Sequence, residues 1–194
     1  MPNLYNLIQG RSVERLAALS DGIFAVVMTL LVLDLHIPKA AQVHSDGELL
    51  VALGNLGPQW IAYGMSFLTL GIFWAGQQTQ LNHISDGTRD LTWIHLGFLF
   101  AITLMPLSTR LLAEFITYRA ALGIYWLNIF VPGAMLYWSW KYATHAGLIK
   151  PDTPEEVRAS ICKRVVIAQS LYAAGARCAS STPGSASRRL CWCN

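Results

Sequence analysis

Long runs without charged residues are the feature that most constrains this chain. No Asp, Glu, Lys or Arg occurs over 37 consecutive positions at 49–85, 19 at 91–109 and 21 at 120–140. Because about 20 helical residues cross the roughly 30 Å hydrocarbon core of a bilayer, each run is long enough to span it. Charged residues make up only 13% of the 194 positions, which is about half the fraction usual in soluble domains. The sequence therefore predicts an all-α fold, a polytopic membrane helical bundle.

Prolines and charges divide the chain into spans. Residues 16–33 of the first predicted span contain a single charge, Asp21, and the span ends before Pro38, because proline disfavours helix in the residue that precedes it. Pro58 divides the longest charge-free run in the same way. The predicted spans are about 16–35, 59–78, 91–113 and 120–142, followed by a partial span at 161–176. We expect residues 1–176 to form one transmembrane domain and residues 177–194 to form a polar tail, disordered or aberrant.

The distribution of basic residues predicts the orientation of these spans. An inside N-terminus puts eight basic residues on the cytoplasmic side and three in the outer loops. The eight are Arg11, Arg15, Arg89, Lys141, Lys150, Arg158, Lys163 and Arg164, and the three are Lys39, Arg110 and Arg119. Since cytoplasmic loops carry the excess of Lys and Arg, we expect a multi-pass protein of the cell membrane with a cytoplasmic N-terminus. These basic residues set topology, so nucleic-acid binding is not expected.

The sequence predicts neither a metal site nor an enzyme active site. The four cysteines lie in the last 33 residues, and no histidine follows His145 to complete a zinc site with them. No nucleophile is paired with a base in a recognisable motif. We therefore expect no enzymatic activity, no bound metal and no cofactor.

Asp21 is a carboxylate in or just below the apolar part of the first span, where a charge costs roughly 3 kcal/mol. Two interpretations remain open. Ser20 and Asp21 either cap a helix N-terminus, or they join Arg15 in a polar network between helices. At 100° per residue, Arg15 and Asp21 are about 120° apart around one helix, so their partners should lie on other helices. Candidate partners at the same depth are Trp74, Gln77, Gln78, His83 and His95.

A second feature of the first span is an apolar stripe. Val26, Thr29, Leu30 and Leu33 occupy an arc of roughly 100° on one side of the helix. Packing or lipid contact usually explains such a stripe. The alternative is a pore lining, which would act by size and dewetting because the stripe carries no charge.

Residues 15–33, RLAALSDGIFAVVMTLLVL, resemble the first-helix signature of the transmembrane protein 175 family of potassium channels, in its bacterial branch. That signature is Arg-x-x-x-Phe-Ser-Asp. Arg15, Ser20 and Asp21 fit it, and Leu19 stands at the phenylalanine position. The order of later features is also similar to bacterial members, over about residues 11–176. These features are Ser66-Phe67, Phe73-Trp74 and Leu104-Met105-Pro106.

The resemblance implies a potassium-permeable cation channel of six helices per subunit, assembled as a homotetramer in the lipid bilayer. Its pore would be lined by the first helix and narrowed by apolar residues, without a carbonyl filter. The pore-lining residues carried over are Val26, Leu30 and Leu33, with Thr29 facing or flanking the path. The predicted structural polar network consists of Arg15, Ser20, Asp21, Trp74, Gln77 and His95, of which the first three fit the family signature. Potassium ions are the implied permeant.

The chain departs from the family pattern at several positions. Gln77 and Gln78 replace a His pair, and His95 replaces an asparagine, so the polar network has different partners. Val26 is smaller than the usual residue, which predicts a wider constriction and weaker selectivity. The sixth helix is missing because the sequence turns polar after Ala176. We interpret this end as the product of a truncated or frame-altered coding sequence.

Two other functions remain open at this point. One is a proton-coupled carrier in which Asp21 or His95 takes up a proton or substrate. The other is a membrane scaffold without transport activity, in which Asp21 only caps a helix.

Overall fold

A computed structural model describes residues 13–33, 35 and 43–181 of the chain. The described residues form seven helices, numbered here in chain order. They are α1 (Val13–Leu33), α2 (Asp46–Gly54), α3 (Gly57–Asn82), α4 (Arg89–Thr103), α5 (Met105–Glu114), α6 (Arg119–His145) and α7 (Glu155–Ser181). The all-α prediction is confirmed for this part of the chain, where the one pairing of strand type is an isolated antiparallel bridge between Ile84 and Ile149.

The first, second and fourth predicted spans coincide with α1, α3 and α6 to within a few residues. Pro58 lies in the first turn of α3, where its missing N–H has no helical partner to lose. Proline therefore begins this helix, as the sequence predicts. The short helix α2 precedes it in the chain and is capped by Ser45, whose hydroxyl accepts a hydrogen bond from the Glu48 N–H at 3.2 Å. None of the residues of α2 is buried.

The third predicted span, 91–113, is not one continuous helix. It divides at Leu104 into α4 and α5, with Pro106 in the first turn of α5. Because proline has no N–H, the carbonyl of Ile102 loses its usual partner four residues ahead. The Leu104 N–H instead turns back to the Ala101 carbonyl at 3.3 Å and closes α4. Pro106 therefore marks the division of the predicted span into two helices.

Three helical segments among the described residues are long and apolar enough to cross a membrane. They are α1, α4 together with α5 (Arg89–Glu114), and α6. Helix α3 is comparably long, with 26 residues, but buries polar side chains as well as apolar ones. These are Ser66, Thr69, Gln77 and Gln80, and all four form hydrogen bonds to other helices.

The last helix is longer than the sequence predicts. Helix α7 covers Glu155–Ser181, whereas the predicted partial span was 161–176. The first two turns of α7 are charged, so hydropathy alone does not indicate where the helix begins. Residues 177–181, which were predicted to belong to the polar tail, are also helical. The remainder of that tail, 182–194, lies outside the described residues.

The helices enclose two apolar clusters, one above the other. We call the end of the bundle where α1, α4 and α7 begin, and α3 and α6 end, the lower end. The lower cluster there includes Leu16, Leu81, Leu91, Trp140 and Ile161. The upper cluster includes Phe24, Leu31, Phe73, Phe98, Ile102, Tyr125 and Ile129. Helix α1 packs on α3, α4 and α5, while α6 packs on α4, α5 and α7.

Helices α6 and α7 approach closely at Gly133. This glycine is buried, and a Cβ atom there would overlap the side-chain amide of Gln169. The Gln169 amide donates a hydrogen bond across this contact to the Ile129 carbonyl at 3.4 Å. A side chain at this position would therefore displace the Gln169 amide and break this hydrogen bond.

Replacing Gly133 by valine should weaken the α6–α7 contact. We expect Gly133→Val to lower the free energy of unfolding by about 1–3 kcal/mol, the usual effect of overpacking. Gly123→Val is the matched control on the same helix, since no heavy atom lies within 4 Å of a Cβ there. Thermal unfolding in detergent measures both, and equal effects of the two variants would contradict the close approach.

Candidate functional site

A chain of four polar side chains crosses the bundle between the two apolar clusters. Its members are Ser20 on α1, Gln77 on α3, His95 on α4 and Ser139 on α6, and we call them the polar chain. None of the four is more than 1% exposed. On each of these four helices, residues of the lower cluster lie toward the lower end from the polar residue. Residues of the upper cluster lie toward the upper end. The polar chain is therefore a desolvated layer enclosed by hydrocarbon.

Hydrogen bonds connect the members of the polar chain in sequence. The Gln77 amide nitrogen, Nε2, donates to Ser20 Oγ at 2.8 Å and lies 3.2 Å from His95 Nδ1. The other ring nitrogen, His95 Nε2, lies 2.9 Å from Ser139 Oγ. If Nδ1 accepts from the amide, Nε2 carries the ring proton and donates it to the serine. Four helices are thus joined by a single line of contacts.

The Gln77 amide has two ways to complete this line. Its oxygen, Oε1, is buried and has no hydrogen-bond partner within the described residues. Rotating the amide by 180° would present Oε1 to the Ser20 hydroxyl and to a protonated His95 Nδ1. Either orientation of the amide is thus available without moving a helix, while burial away from water disfavours a charged imidazole at His95.

Asp21 lies beside the polar chain, on the exposed side of α1. Its Oδ1 accepts hydrogen bonds from Trp74 Nε1 at 2.7 Å and from Gln78 Nε2 at 2.6 Å, both on α3. The expectation that Asp21 finds its partners on another helix is met. The capping interpretation is wrong, because α1 already begins at Val13, eight residues earlier. Asp21 is an interior residue of the helix, and it ties α1 to α3.

The other predicted network residues occupy different positions. Arg15 lies in the first turns of α1 with an exposed side chain. His83, a candidate partner from the sequence, ends α3, where its Nδ1 lies 2.7 Å from the Thr79 carbonyl of its own helix. The structure therefore joins Ser20, Gln77 and His95 in the polar chain, with Asp21 and Trp74 in the adjoining contact.

Ser139 is the member of the polar chain that sequence reasoning missed. It stands in a run of apolar and aromatic residues near the end of the fourth predicted span. A single serine there gives no periodic signal. The sequence does place Ser139 near the same membrane depth as His95, and this was the one indication that the two could be in contact.

The predicted pore-lining stripe lies on the outer face of α1. Val26 is 57% exposed, Leu30 43% and Leu33 76%, and Thr29 is also exposed. The Thr29 hydroxyl donates to the Val26 carbonyl at 2.8 Å, so its proton is satisfied within the helix. The opposite face of α1 is buried, with Phe24, Val27 and Leu31 no more than 3% exposed. The stripe therefore points away from the core of its own subunit.

A second polar cluster, formed by hydroxyl groups, lies in the upper half of the bundle. Ser66 Oγ lies 3.0 Å from Tyr125 Oη and 2.7 Å from Thr109 Oγ1. Nearby, Thr69 Oγ1 lies 2.8 Å from Tyr172 Oη on α7. Sequence reasoning missed these contacts, because isolated hydroxyl residues in apolar spans usually bond to their own helix. Two of them, Thr69 and Thr109, also do so here.

Comparison with known proteins identifies relatives of the chain. Residues 15–106 match the family model described as "Endosomal/lysosomal potassium channel TMEM175". The chain is 37% identical over 102 residues to a protein of Streptomyces collinus named as a potassium channel, covering 53% of this chain and 48% of that protein. It is 35% identical over 109 residues to the "Endosomal/lysosomal proton channel TMEM175" of Mus musculus, covering 54% of this chain and 22% of that protein. The matches thus span about half of the bacterial relative and less of the mouse one.

A solved structure shares the fold of the described helices. The crystal structure of a lysosomal potassium-selective channel TMEM175 homolog from Chamaesiphon minutus superposes with a TM-score of 0.75 at 24% sequence identity. The superposition covers 87% of this chain and 86% of that one. The likeness confirms the arrangement of the helices.

Removing the Gln77 amide should loosen the bundle. We expect Gln77→Leu to lower the free energy of unfolding by about 1–3 kcal/mol, since it breaks two interhelical contacts and leaves a buried imidazole nitrogen without a partner. The control is Thr79→Val on the same helix, which removes only the hydrogen bond from Thr79 Oγ1 to the Ala75 carbonyl. Unfolding in mixed micelles, followed by tryptophan fluorescence, measures both. An effect of Gln77→Leu no larger than the control would contradict a stabilising polar chain.

Proposed function

We propose that this chain, whose residues 15–106 match the TMEM175 family model, forms a potassium-permeable cation channel of the cell membrane. Four copies would assemble around a central axis, with the N-terminus cytoplasmic and α1 lining the pore. The constriction would be apolar and would require no cofactor. The matched family is one of channels, and we propose no enzymatic activity for this chain.

The observation that carries the proposal is the exposure of the stripe. Val26, Leu30 and Leu33 are 43–76% exposed on a face that their own subunit leaves uncovered. Either lipid or other copies of the chain must cover this face in a membrane. A shared axis formed by four α1 helices would cover it and would turn the three apolar side chains toward permeating ions.

The polar contacts of α1 support this role because they fix the rotation of the helix. Ser20 and Asp21 bind α3 from two sides of the helix, at 2.8 Å through Gln77 and at 2.6–2.7 Å through Gln78 and Trp74. A helix held at two such points cannot turn its stripe inward without breaking hydrogen bonds in an apolar environment. The stripe therefore keeps its outward direction during assembly.

The chemistry of the stripe suits a pore that conducts by dewetting. The stripe presents no charge, and its single hydroxyl, on Thr29, donates to the backbone of its own helix. Ions passing it would lose hydration water without receiving coordinating oxygens. The width of the apolar constriction would then set permeation.

Substituting Leu30 should change potassium flux. We expect Leu30→Ser to increase flux into liposomes several-fold, since a smaller, polar side chain is more easily wetted. Val32→Ser is the matched control, because Val32 is as exposed as Leu30, at 45% against 43%, but lies about 160° away around α1. Fluorescence of an entrapped potassium indicator measures the flux.

Three outcomes separate the alternatives. A change restricted to Leu30→Ser supports a pore at the stripe. Equal flux in the wild type and both variants would contradict it and leave the stripe as a lipid contact. No flux in any of them would leave a membrane scaffold without transport activity.

The polar chain favours a second candidate, a proton-coupled carrier. The rotatable amide of Gln77 would let His95 take up a proton at a desolvated position joined to four helices. Asp21 is the other candidate for proton uptake. Uptake at either residue would bias how α1, α3, α4 and α6 pack, as an alternating carrier requires.

A proton gradient distinguishes the channel from the carrier. At a clamped membrane potential, we expect potassium flux to be unchanged when a gradient of one pH unit is imposed or removed. In the variant His95→Gln, the potassium flux should then depend on potassium concentration as it does in the wild type. The same is expected of the control His83→Gln, at the end of α3. The carrier would be established instead by a flux that requires the proton gradient and is lost in His95→Gln but not in His83→Gln. That flux would also be unchanged in Leu30→Ser.

A further inference from the structure

A cavity of about 280 Å³ lies between α3, α6 and α7, away from the polar chain and from the stripe. Its walls are mostly apolar and include Ile72, Phe73 and Gly76 from α3 and Leu136 from α6. On α7 it extends from Gln169 down to Arg164 and Ile161. The cavity is therefore an elongated apolar cleft that ends at a basic side chain near the lower end of the bundle.

The lower end of the cavity carries an available positive charge. Arg164 lines the cavity and has an exposed side chain. Among the described residues, no carboxylate lies within ion-pair distance of its guanidinium group. Arg158, two turns earlier on α7, differs because it lies 3.8 Å from Glu155. Within the described part of the chain, the charge at the mouth of the cleft is thus available to an anionic group.

Two buried amide oxygens also border the cavity. Gln80 is 1% exposed, and its Nε2 donates to the Leu136 carbonyl at 3.1 Å. Its Oε1 has no hydrogen-bond partner among the described residues, and neither does Oε1 of Gln169. A buried acceptor without a donor is unfavourable. A ligand that carries hydroxyl groups near Gln80 would relieve this.

We propose that the cavity binds an anionic phospholipid, with an acyl chain in the cleft and the headgroup at Arg164. Its walls match the hydrocarbon, the guanidinium matches the phosphate, and Gln80 accepts from a headgroup hydroxyl. A whole helix, about 10 Å wide, is too large for a cleft of this volume, whereas an acyl chain is narrow enough to enter it. The proposal requires only that the chain lies in a membrane, and it does not depend on ion conduction.

Native mass spectrometry of the full chain in detergent tests the headgroup contact. The probes are phosphatidylglycerol, which is anionic and carries hydroxyls, and phosphatidylcholine, which is neutral overall. We expect one phosphatidylglycerol retained per subunit, in preference to phosphatidylcholine. Arg164→Gln should weaken phosphatidylglycerol binding about five-fold, the effect of one basic side chain at a lipid surface. The matched control is Lys163→Gln, at an exposed neighbour that does not line the cavity.

Filling the cleft tests the acyl-chain contact. A Cβ at Gly76 meets only Leu136 Cδ1, at 3.9 Å, so the side chain of Gly76→Leu can enter the cavity without displacing a helix. This variant should lose retention of both lipids. Gly71→Leu is the control on the same helix, outside the cavity and with no heavy atom within 4 Å of its Cβ.

Several results would overturn the proposal. Equal retention of phosphatidylglycerol in Arg164→Gln and Lys163→Gln would remove the headgroup site. Equal retention in Gly76→Leu and Gly71→Leu would place the lipid elsewhere. A change of oligomeric mass in Gly76→Leu without loss of lipid would mean that a second copy covers the cleft, and displacement by excess inorganic phosphate alone would mean a simple anion site. Potassium flux of the same variants is measured separately, so failure of the channel proposal would leave these outcomes interpretable.

Discussion

The hydrogen bonds of the Gln77 amide are the constraint on which the arrangement of the helices depends. Hydrocarbon side chains pack against one another and against lipid with similar free energy, so apolar packing alone fixes the rotation of a membrane helix weakly. A buried amide between Ser20 and His95 changes this, because each misplaced group would lose a partner in a medium without water. The polar chain thus fixes how the four helices are aligned with one another, and the apolar clusters above and below it pack in that alignment.

Asp21 completes this constraint from the outside of the bundle. Its carboxylate receives donors from one helix, α3, at two successive turns through Trp74 and Gln78. A carboxylate that would be unfavourable in an isolated span is therefore an anchor between helices. The result is a first helix whose inner face is committed to its own subunit and whose outer face is left for other contacts.

Much of the fold and part of the site follow from the sequence alone. Charge-free runs located α3 and α6, and an apolar stretch with a single charge located α1, because the bilayer sets both the length and the composition of a span. The separation of Arg15 and Asp21 around a helix was enough to expect interhelical partners. The division at Leu104 was not foreseeable in the same way, since a proline can kink a span or end it, depending on the helices packed beside it.

The unpredicted parts share a physical cause. Ser139 and the hydroxyl cluster of Ser66, Thr109 and Tyr125 act through pairings between distant segments. A lone hydroxyl in an apolar run bonds its own backbone or a neighbouring helix, and no local pattern distinguishes the two. The full length of α7 could not be predicted for a related reason. Its first turn is charged, so no local apolar pattern indicates that the helix begins there.

The outward stripe of α1 has an evolutionary consequence. Val26, Leu30 and Leu33 bury little of their surface within the subunit, so exchanging one aliphatic side chain for another there leaves the folded protomer almost as stable as before. Residues in the polar chain have no such freedom. Exchanges among aliphatic residues should therefore accumulate more readily at the stripe than exchanges at the four positions of the polar chain.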